Sequence, residues 1–188
     1  MKSIRRLLGL TRPAPELRVL MVCSGNICRS PTAEGVLRAR LQAAGLEARI
    51  EVDSAGTQGL HAGQAPDPRA IAMARRRGYD LSRLRARRVT GDDFLAFDRI
   101  LAMDEGHLGW LEKIAPVEAR TRVELLMTYA SRHRDRSEVP DPYYGSERDF
   151  ALMLELVEDA CAGLARCLAD ELSARHPRSG PASKNQNT

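Results

Sequence analysis

The chain has 188 residues, of which 43% are hydrophobic, so it can bury one sizeable core and gives no sign of a disordered or membrane class. Its formal net charge is +4, but the positive excess lies at the two ends of the chain, which argues against a basic face for nucleic acid. The four cysteines are too few and too unevenly spaced for a secreted disulfide framework or a complete zinc site.

The two ends of the chain lack the pattern of a packed element. Residues 1–17 contain two prolines and no clean periodicity, which predicts an N-terminal extension, and the polar residues 177–188 predict a disordered tail. The only apolar cluster near the start, residues 7–10, is far shorter than a signal-peptide core, and no later window is apolar enough to span a bilayer. We expect a cytoplasmic protein with no stable membrane association.

Between residues 18 and 176, short apolar runs alternate with longer segments of helical period, which is typical of repeated strand–helix units. Because the strand runs are almost continuously apolar, we expect a parallel sheet with helices on both faces. The sequence therefore predicts an α/β fold with a single three-layer domain. The predicted strands are 18–23, 48–53, 99–103 and 123–127. The predicted helices are 31–44, 68–77, 105–114 and 147–175.

The most informative segment, C-S-G-N-I-C-R-S-P, joins the first predicted strand to the first predicted helix, where parallel sheets bind ligands. The loop between Cys23 and Ser30 can curl so that its N–H groups point inward, with Gly25 and Asn26 taking the positive φ that this needs. Ser30 is a favoured N-cap and Pro31 suits the first helical position, so the helix N-terminus faces the loop. The segment predicts a cradle for an anion.

Two side chains of this loop predict phosphoryl chemistry. The helix N-terminus, the loop amides and Arg29 favour a thiolate at Cys23, which makes that residue a nucleophile. Arg29 offers a planar fork that can hold two phosphoryl oxygens and neutralise the charge of the transition state. The Ser30 hydroxyl is placed to hydrogen-bond the sulfur when it leaves the phosphorus. A C-x5-R spacing alone is weak evidence, but at a strand–loop–helix junction it indicates a catalytic site.

A proton donor must come from another part of the chain, because expulsion of an alkoxide or phenoxide is slow without one. Asp141 is the best candidate, since it lies in the segment V-P-D-P-Y-Y-G, where two prolines stiffen the loop. Tyr143 and Tyr144, which follow it, can form walls for an aromatic ring. The two motifs together predict an enzyme that acts on a phosphorylated aromatic group.

The motifs resemble those of the low-molecular-weight protein tyrosine phosphatases of bacterial type, whose hallmarks are C-x5-R-S near the N-terminus and D-P-Y-Y near the C-terminus. The blocks D-S-A-G-T and F-D-R-I-L-A-M-D also fit, and the similarity covers about residues 18–175. The resemblance implies a four-stranded parallel sheet, a phosphate-binding loop after the first strand, and a tyrosine phosphatase without metal or cofactor. It makes Cys23 the phosphocysteine nucleophile, Arg29 the phosphate clamp, and Asp141 first the general acid and then the base.

The resemblance also assigns supporting roles. It makes Asn26 and Ser54 partners that hold the backbone of the loop. It implies less directly that Asp104 supports the site without touching the substrate. Leu60 stands where the family commonly has a tryptophan, so one aromatic wall of the pocket is missing. This difference affects the expected substrate preference and leaves the expected reaction unchanged. Phosphate binding or loop support is implied for Ser24, Gly25, Asn26, Ile27, Cys28, Ser30 and Ser54. The substrate pocket is implied to contain Leu60, His61, Tyr143 and Tyr144.

Two further expectations come from the resemblance. Many members carry a cysteine at the position of Cys28, where it can form a reversible disulfide with the nucleophile Cys23 and protect it from deeper oxidation. The implied substrate is a protein that contains phosphotyrosine, with a bacterial tyrosine kinase as the expected partner.

Three alternatives share parts of this pattern. A phosphoarginine phosphatase of the same fold is implied to carry threonine where this chain has Ile27. An arsenate reductase needs two more cysteines near the middle of the chain, and none lies between Cys28 and Cys161. A phosphotyrosine-binding relative without catalysis would not need both Cys23 and Asp141.

The two remaining cysteines lie in the last predicted helix. We assign Cys161, and Cys167 beside it, to the core of the last helix.

Overall fold

The computed structural model describes residues 14–176, and in this part of the chain four parallel strands form one sheet. The strands are β1 (Leu17–Cys23), β2 (Ile50–Gly56), β3 (Arg99–Ala102) and β4 (Val123–Leu125). Their order is β2-β1-β3-β4, so β1 lies inside the sheet and β2 and β4 lie at its edges. The predicted four-stranded parallel sheet is confirmed.

Helices connect the strands. The four predicted helices are present within two residues of their predicted bounds, whereas a further short helix and two 3-10 helices have too few residues to show a period in the sequence. In residues 14–176 no helix is both long and apolar enough to cross a membrane. The helices are α1 (Arg29–Ala43), α2 (Pro68–Arg76), α3 (Asp93–Ala96), α4 (Glu105–Ile114) and α5 (Glu147–Arg175), and the 3-10 helices are Val117–Arg122 and Leu126–Tyr129.

Alternate residues of β1 point to opposite faces of the sheet, and helices cover both faces. Val19 and Met21 pack in one cluster with buried residues of α1, α2 and α5. Leu20 and Val22 pack in a second cluster with buried residues of α3 and α4. Because all four side chains are fully buried, the run V-L-M-V shows no alternation of apolar and polar residues. The predicted three layers are confirmed.

The described part of the predicted extension begins the fold slightly earlier than residue 18. Leu17 is the first residue of β1, is buried, and pairs with Ile50. Beside it, hydrogen bonds from Arg49 lower the pKa of the Glu16 carboxylate to about 2. Residues 1–13 and 177–188 lie outside the described residues, so the division into extension, domain and tail stays a prediction.

The second strand differs from its prediction, since β2 ends at Gly56 rather than at residue 53. Its last residues continue the parallel pairing with β1, so that Cys23 pairs with Gly56. The polar pair Asp53 and Ser54 hides this continuation in the sequence pattern. The longer strand brings Ser54 alongside the start of the phosphate loop.

The carboxyl ends of β1, β2 and β3 meet at one edge of the sheet. Besides the pairing of Cys23 with Gly56, Val22 at the end of β1 pairs with Ala102 at the end of β3. The loops that follow these strands therefore lie side by side. This edge carries the candidate site.

Candidate active site

The phosphate loop, residues 23–29, runs from the last residue of β1 to the first residue of α1. The helix begins at Arg29, and Cys28 occupies the N-cap position without a side-chain cap. The prediction that Ser30 caps the helix was therefore wrong. The Ser30 hydroxyl has tertiary partners instead, because it lies 3.0 Å from Cys23 Sγ and accepts a hydrogen bond from Asn26 Nδ2 at 2.9 Å. It is placed to act on the sulfur rather than on the helix end.

The turn of the phosphate loop depends on Asn26. Its φ is 56°, and among the described residues it is the only non-glycine residue with a positive φ. The predicted positive φ at Gly25 was wrong. Gly25 lies at a close approach instead, because a Cβ at this position would lie 3.0 Å from Cδ2 of His61. The loop therefore turns at Asn26, and the missing side chain of Gly25 leaves room for the His61 ring.

The Asn26 side chain holds this turn from behind. Its Nδ2 donates to Ser30 Oγ at 2.9 Å and to Ser54 Oγ at 2.8 Å, while its Oδ1 accepts from the Arg87 backbone N at 2.9 Å. The amide is 1% exposed, so these bonds satisfy a buried polar group. The structure thus places Asn26 and Ser54 in contact, and the fold itself sets the shape of the loop.

The Arg29 guanidinium is buried and makes four polar contacts. Its Nη1 donates to Asp104 Oδ2 at 2.6 Å and to the Val139 carbonyl at 3.3 Å. Its Nη2 donates to Asp141 Oδ2 at 2.6 Å and to Ser24 Oγ at 3.4 Å. The structure therefore brings Arg29 and Asp141 together although they lie far apart in the sequence.

The loop around Asp141 is held at more than one point. Asp141 Oδ1 accepts from the Tyr143 backbone N at 3.1 Å, while its other oxygen accepts from the guanidinium described above. At the start of the loop, the Val139 N–H donates to the Met103 carbonyl at 2.8 Å. The Asp141 side chain is 48% exposed, so its carboxylate reaches solvent as well as the site.

A cavity of about 260 Å³ opens between these segments. All predicted site residues line it except Asn26, Ser30 and Ser54, which lie behind the loop, and Asp104, which lies behind Arg29. Cys23 and Arg29 are each 3% exposed, whereas Leu60 is 78% and Tyr144 is 97% exposed. The sulfur and the guanidinium therefore form the deep part of the cavity, and the side chains from the other loops form its rim.

The rim of this cavity is largely apolar. Tyr143 and Tyr144 pack edge to face, with ring centroids 4.9 Å apart. The Arg69 guanidinium lies 5.6 Å from the centroid of the Tyr143 ring. On the other side of the cavity, Leu60 is aliphatic. His61, which follows it, has its Nδ1 at 2.9 Å from Gln64 Oε1. The rim presents two aromatic rings and one aliphatic side chain to a ligand.

The four cysteines are unpaired. Burial raises the pKa of Cys28 to about 12, so its thiol keeps its proton near neutral pH. Burial likewise raises the pKa of Cys161 to about 12, and this residue belongs to the core cluster beneath α5. Cys167 is partly buried. The assignment of Cys161 to the core is confirmed.

Comparison with known proteins agrees with this geometry. The model of the family described as "Low molecular weight phosphotyrosine protein phosphatase" matches residues 18–174. The low molecular weight protein-tyrosine-phosphatase of Streptomyces coelicolor is 43% identical over 160 residues, which cover 84% of this chain and 97% of that protein. The chain belongs to the low molecular weight phosphotyrosine protein phosphatase family.

Solved structures of similar proteins share the architecture of this phosphatase. A protein tyrosine phosphatase from Entamoeba histolytica has a TM-score of 0.80 at 36% identity, covering 83% of this chain and 99% of that chain. YfkJ from Bacillus subtilis has a TM-score of 0.77 at 35% identity, and the match covers 86% of this chain and 99% of that chain. The resemblance to the low-molecular-weight protein tyrosine phosphatases is confirmed, and so is the fold that it implied.

His107 is a residue of this phosphatase that sequence reasoning missed. It is buried in the first turn of α4, where its backbone N donates to Asp104 Oδ1 and its Nδ1 lies 2.8 Å from the same oxygen. Its Nε2 lies 2.8 Å from Ser24 Oγ. Burial by itself would raise the pKa of Asp104, but the bonds from His107 and Arg29 outweigh it and hold the pKa well below its usual range. The spacing D-x-x-H at a predicted helix start is the signal that could have found this link.

Glu34 is a second residue of the phosphatase that had no sequence signal. It is 2% exposed, and its Oε2 accepts from Ser54 Oγ at 2.6 Å while its Oε1 pairs with Arg38 at 2.7 Å. Burial raises its pKa, against the opposing effects of Ser54 and Arg38. Glu34 therefore continues the chain of hydrogen bonds behind Asn26 into α1.

Proposed function

We propose that this chain hydrolyses phosphotyrosine in proteins through a phosphocysteine intermediate. The observation that carries the proposal is the shared cavity: Cys23 and Arg29 lie in its deep part and Asp141 lies at its mouth. Phosphoryl transfer by a cysteine needs a nucleophile, a clamp for the oxygens and a proton donor within reach of one another. Membership of the phosphatase family supports the same reaction.

In the first step, the Cys23 thiolate attacks the phosphorus, an S–P bond forms and the P–O bond to the tyrosine breaks. The N–H groups of the phosphate loop and the N-terminus of α1 are suited to hold the phosphoryl oxygens above the sulfur. The Ser30 hydroxyl, 3.0 Å from Sγ, can donate to the sulfur when it leaves in the second step. These positions support the roles of Cys23 as nucleophile and of Ser30 as hydrogen-bond donor to the leaving sulfur.

Arg29 holds the phosphoryl group during both steps. Its Nη1 is taken by Asp104 and the Val139 carbonyl, so the edge formed by Nε and Nη2 is the part suited to bind the substrate. Two N–H groups on one planar edge match two phosphoryl oxygens and stabilise the charge of the transition state. Asp104 and His107 act through Arg29 by fixing the plane of its guanidinium.

Asp141 provides the proton for the tyrosine oxygen and then takes a proton from the water that attacks phosphocysteine. The water oxygen forms the new P–O bond, the S–P bond breaks, and phosphate leaves. To do this, Asp141 must exchange its bond with Arg29 Nη2 for one with the substrate. Asp104 keeps the guanidinium in place during this exchange, because it holds the other nitrogen.

The first test compares phosphotyrosine with phosphoarginine, the nearest alternative substrate. Ile27 lines the cavity, and the rings of Tyr143 and Tyr144 suit an aromatic leaving group. We expect kcat/KM for phosphotyrosine to exceed that for phosphoarginine about tenfold or more, measured as phosphate released from matched peptides. A preference for phosphoarginine would favour that alternative, and hydrolysis of neither would favour a binding protein without catalysis.

The second test concerns pH. The mechanism needs Cys23 as a thiolate and Asp141 as an acid, so the rate should follow a bell-shaped profile on the acidic side of neutral. Asp104 adds no limb to this profile, because its lowered pKa keeps it ionised throughout the range. In Asp141→Asn, we expect kcat for phenyl phosphate to fall about 10² to 10⁴-fold and the alkaline limb to disappear.

The control for this test is Asp135→Asn, which neutralises an exposed aspartate outside the cavity. It should keep both the rate and the two limbs. p-Nitrophenyl phosphate should be affected less than phenyl phosphate in Asp141→Asn, because its leaving group needs less protonation. Equal losses with both substrates would contradict the assignment of Asp141.

Three finer points belong to this proposal. The substrate is a protein that contains phosphotyrosine, with a bacterial tyrosine kinase as the expected partner. A cytoplasmic location is supported by four unpaired cysteines, which suit a reducing compartment. A reversible disulfide between Cys23 and Cys28 is supported by their positions, since both line the same cavity.

A further inference from the structure

An arginine without an ion-pair partner stands beside the mouth of the cavity. Arg88 is exposed, and no carboxylate in residues 14–176 pairs with it. Its neighbour Arg87 is different, since it is held by Asp53 and Asp93. A guanidinium is weakly hydrated, so one that is left unpaired on the surface is free to meet a negative group on a ligand.

The backbone on either side of Arg88 is fixed to the end of β2. The Gly56 N–H donates to the Arg87 carbonyl at 2.8 Å, and the Val89 N–H donates to the Gly56 carbonyl at 2.9 Å. These two bonds form a parallel bridge between Gly56 and Arg88. The Cα of Arg88 therefore has a defined position relative to the sheet edge that carries the site.

The rim segment after β2, residues 57–61, is fixed in turn to the phosphate loop. The Thr57 N–H donates to the Cys23 carbonyl and the Gln58 N–H to the Ser24 carbonyl, both at 2.9 Å. A Cβ on Gly56 would lie 2.6 Å from the Ser24 carbonyl oxygen, so the two segments are in direct contact. The nucleophile and the rim segment thus form one rigid unit.

The Arg88 side chain runs along this rim segment. A Cβ on Gly59 would lie 3.5 Å from Cδ of Arg88 and 3.8 Å from its Cβ. The next residue, Leu60, lines the cavity and is 78% exposed. The Arg88 side chain does not line the cavity itself, but its stem lies against the residue next to Leu60, which does.

Other charged side chains near the rim already have hydrogen-bond partners. Arg69, behind Tyr143, is held by Asp67 at 2.7 Å, and Asp141 is bonded to Arg29. Arg85, on the same segment as Arg88, donates to the backbone carbonyls of Ser82 and Leu84. Arg88, which lies against Gly59, is therefore an arginine next to Leu60 that neither a carboxylate nor a backbone carbonyl of the described residues holds.

We propose that Arg88 selects substrates in which an acidic residue lies close to the phosphotyrosine. This inference rests on the proposed function and adds the class of peptide that the site prefers. While the phosphotyrosine ring enters the cavity past Leu60, the chain on either side of it crosses the rim. A glutamate or aspartate there meets the unpaired guanidinium, whereas a lysine is repelled by it.

The effect of an exposed charge pair is modest and depends on salt. We expect kcat/KM of the parent to be about two- to fivefold higher for a peptide with glutamates on both sides of phosphotyrosine than for the same peptide with alanines. The gain should appear in KM rather than in kcat, and it should shrink at high ionic strength. A peptide with lysines should be the poorest of the three.

The test compares these three peptides in the parent, Arg88→Gln and Arg88→Glu. Each kcat/KM is divided by that for p-nitrophenyl phosphate in the same variant, so that losses in folding or chemistry cancel. Arg88→Gln should remove the preference, and Arg88→Glu should reverse it in favour of lysine. Arg166→Glu, which makes the same change of charge on an exposed residue of α5 away from the cavity, should keep the preference of the parent.

The outcomes separate this inference from the proposed function. A parent that hydrolyses p-nitrophenyl phosphate and phosphotyrosine peptides but treats the three peptides alike overturns the role of Arg88 alone. An equal change of preference in Arg88→Glu and Arg166→Glu also overturns it, because net charge would then explain the result. A parent that hydrolyses none of these substrates contradicts the phosphatase activity itself.

Discussion

Substitution of Cys23 by serine is expected to abolish hydrolysis of phosphotyrosine and p-nitrophenyl phosphate, with kcat falling by a factor on the order of 10⁴ or more. A serine hydroxyl at the floor of the cavity is not ionised near neutral pH, so the attack that forms the covalent intermediate is lost. The measurement is steady-state phosphate release, with mass spectrometry of acid-quenched enzyme to detect the phosphorylated cysteine in the parent.

The matched control is Cys167→Ser, which changes a partly buried cysteine outside the cavity. It should retain the parent's activity. Cys23→Ser should still bind inorganic phosphate, because the loop amides and Arg29 remain, and phosphate should therefore still raise its midpoint of thermal unfolding. Similar rates for the parent and Cys23→Ser would rule out the covalent mechanism.

Arg29→Lys is expected to reduce kcat about 10²- to 10³-fold although the positive charge is kept. Lysine offers a single point charge, so it cannot hold two phosphoryl oxygens in one plane, nor contact Asp104 and Asp141 through two separate nitrogens. The substitution should also lower the midpoint of thermal unfolding, since Asp104 loses a buried partner. Stopped assays with phosphotyrosine peptides and thermal unfolding measure the two effects.

Asp104→Asn separates the two consequences of this substitution. It removes the ion pair behind Arg29 but leaves the guanidinium and its substrate-binding edge. We expect a similar loss of stability to that in Arg29→Lys and a much smaller fall in kcat. If Asp104→Asn lowered kcat as strongly as Arg29→Lys, the loss would come from the disturbed loop, and the role of Arg29 as a clamp would be wrong.

The parts of the site with a local signal could be predicted from the sequence. Cys23 stands at the end of an apolar run, Arg29 follows at a fixed spacing, and Asp141 lies between two prolines. The central strands were predicted for the same reason, because continuous burial leaves a continuous apolar run. Each of these features depends on residues that are neighbours in the chain.

The parts that depend on tertiary contacts could not be predicted. Ser30 has the residue type of an N-cap, but Cys23 and Asn26 take its hydroxyl, so tertiary hydrogen bonds override the capping preference. Glu34 and His107 act on residues that lie far from them in the sequence. Nothing in the local pattern distinguishes Glu34 from an ordinary position in a helix, and the D-x-x-H spacing is the one local sign of His107.

The hydrogen bonds around Asn26 have a consequence for anion selectivity. Because Ser54 of β2 and the backbone of Arg87 hold the Asn26 side chain, the turn of the loop is set by the protein itself. A loop of fixed shape fits a tetrahedral oxyanion such as sulfate, vanadate or arsenate better than it fits planar nitrate or a spherical halide. We therefore expect the affinity of inhibitory anions for this enzyme to depend more on their geometry than on their charge. Asn26→Gly should weaken this dependence, even though glycine tolerates the same turn.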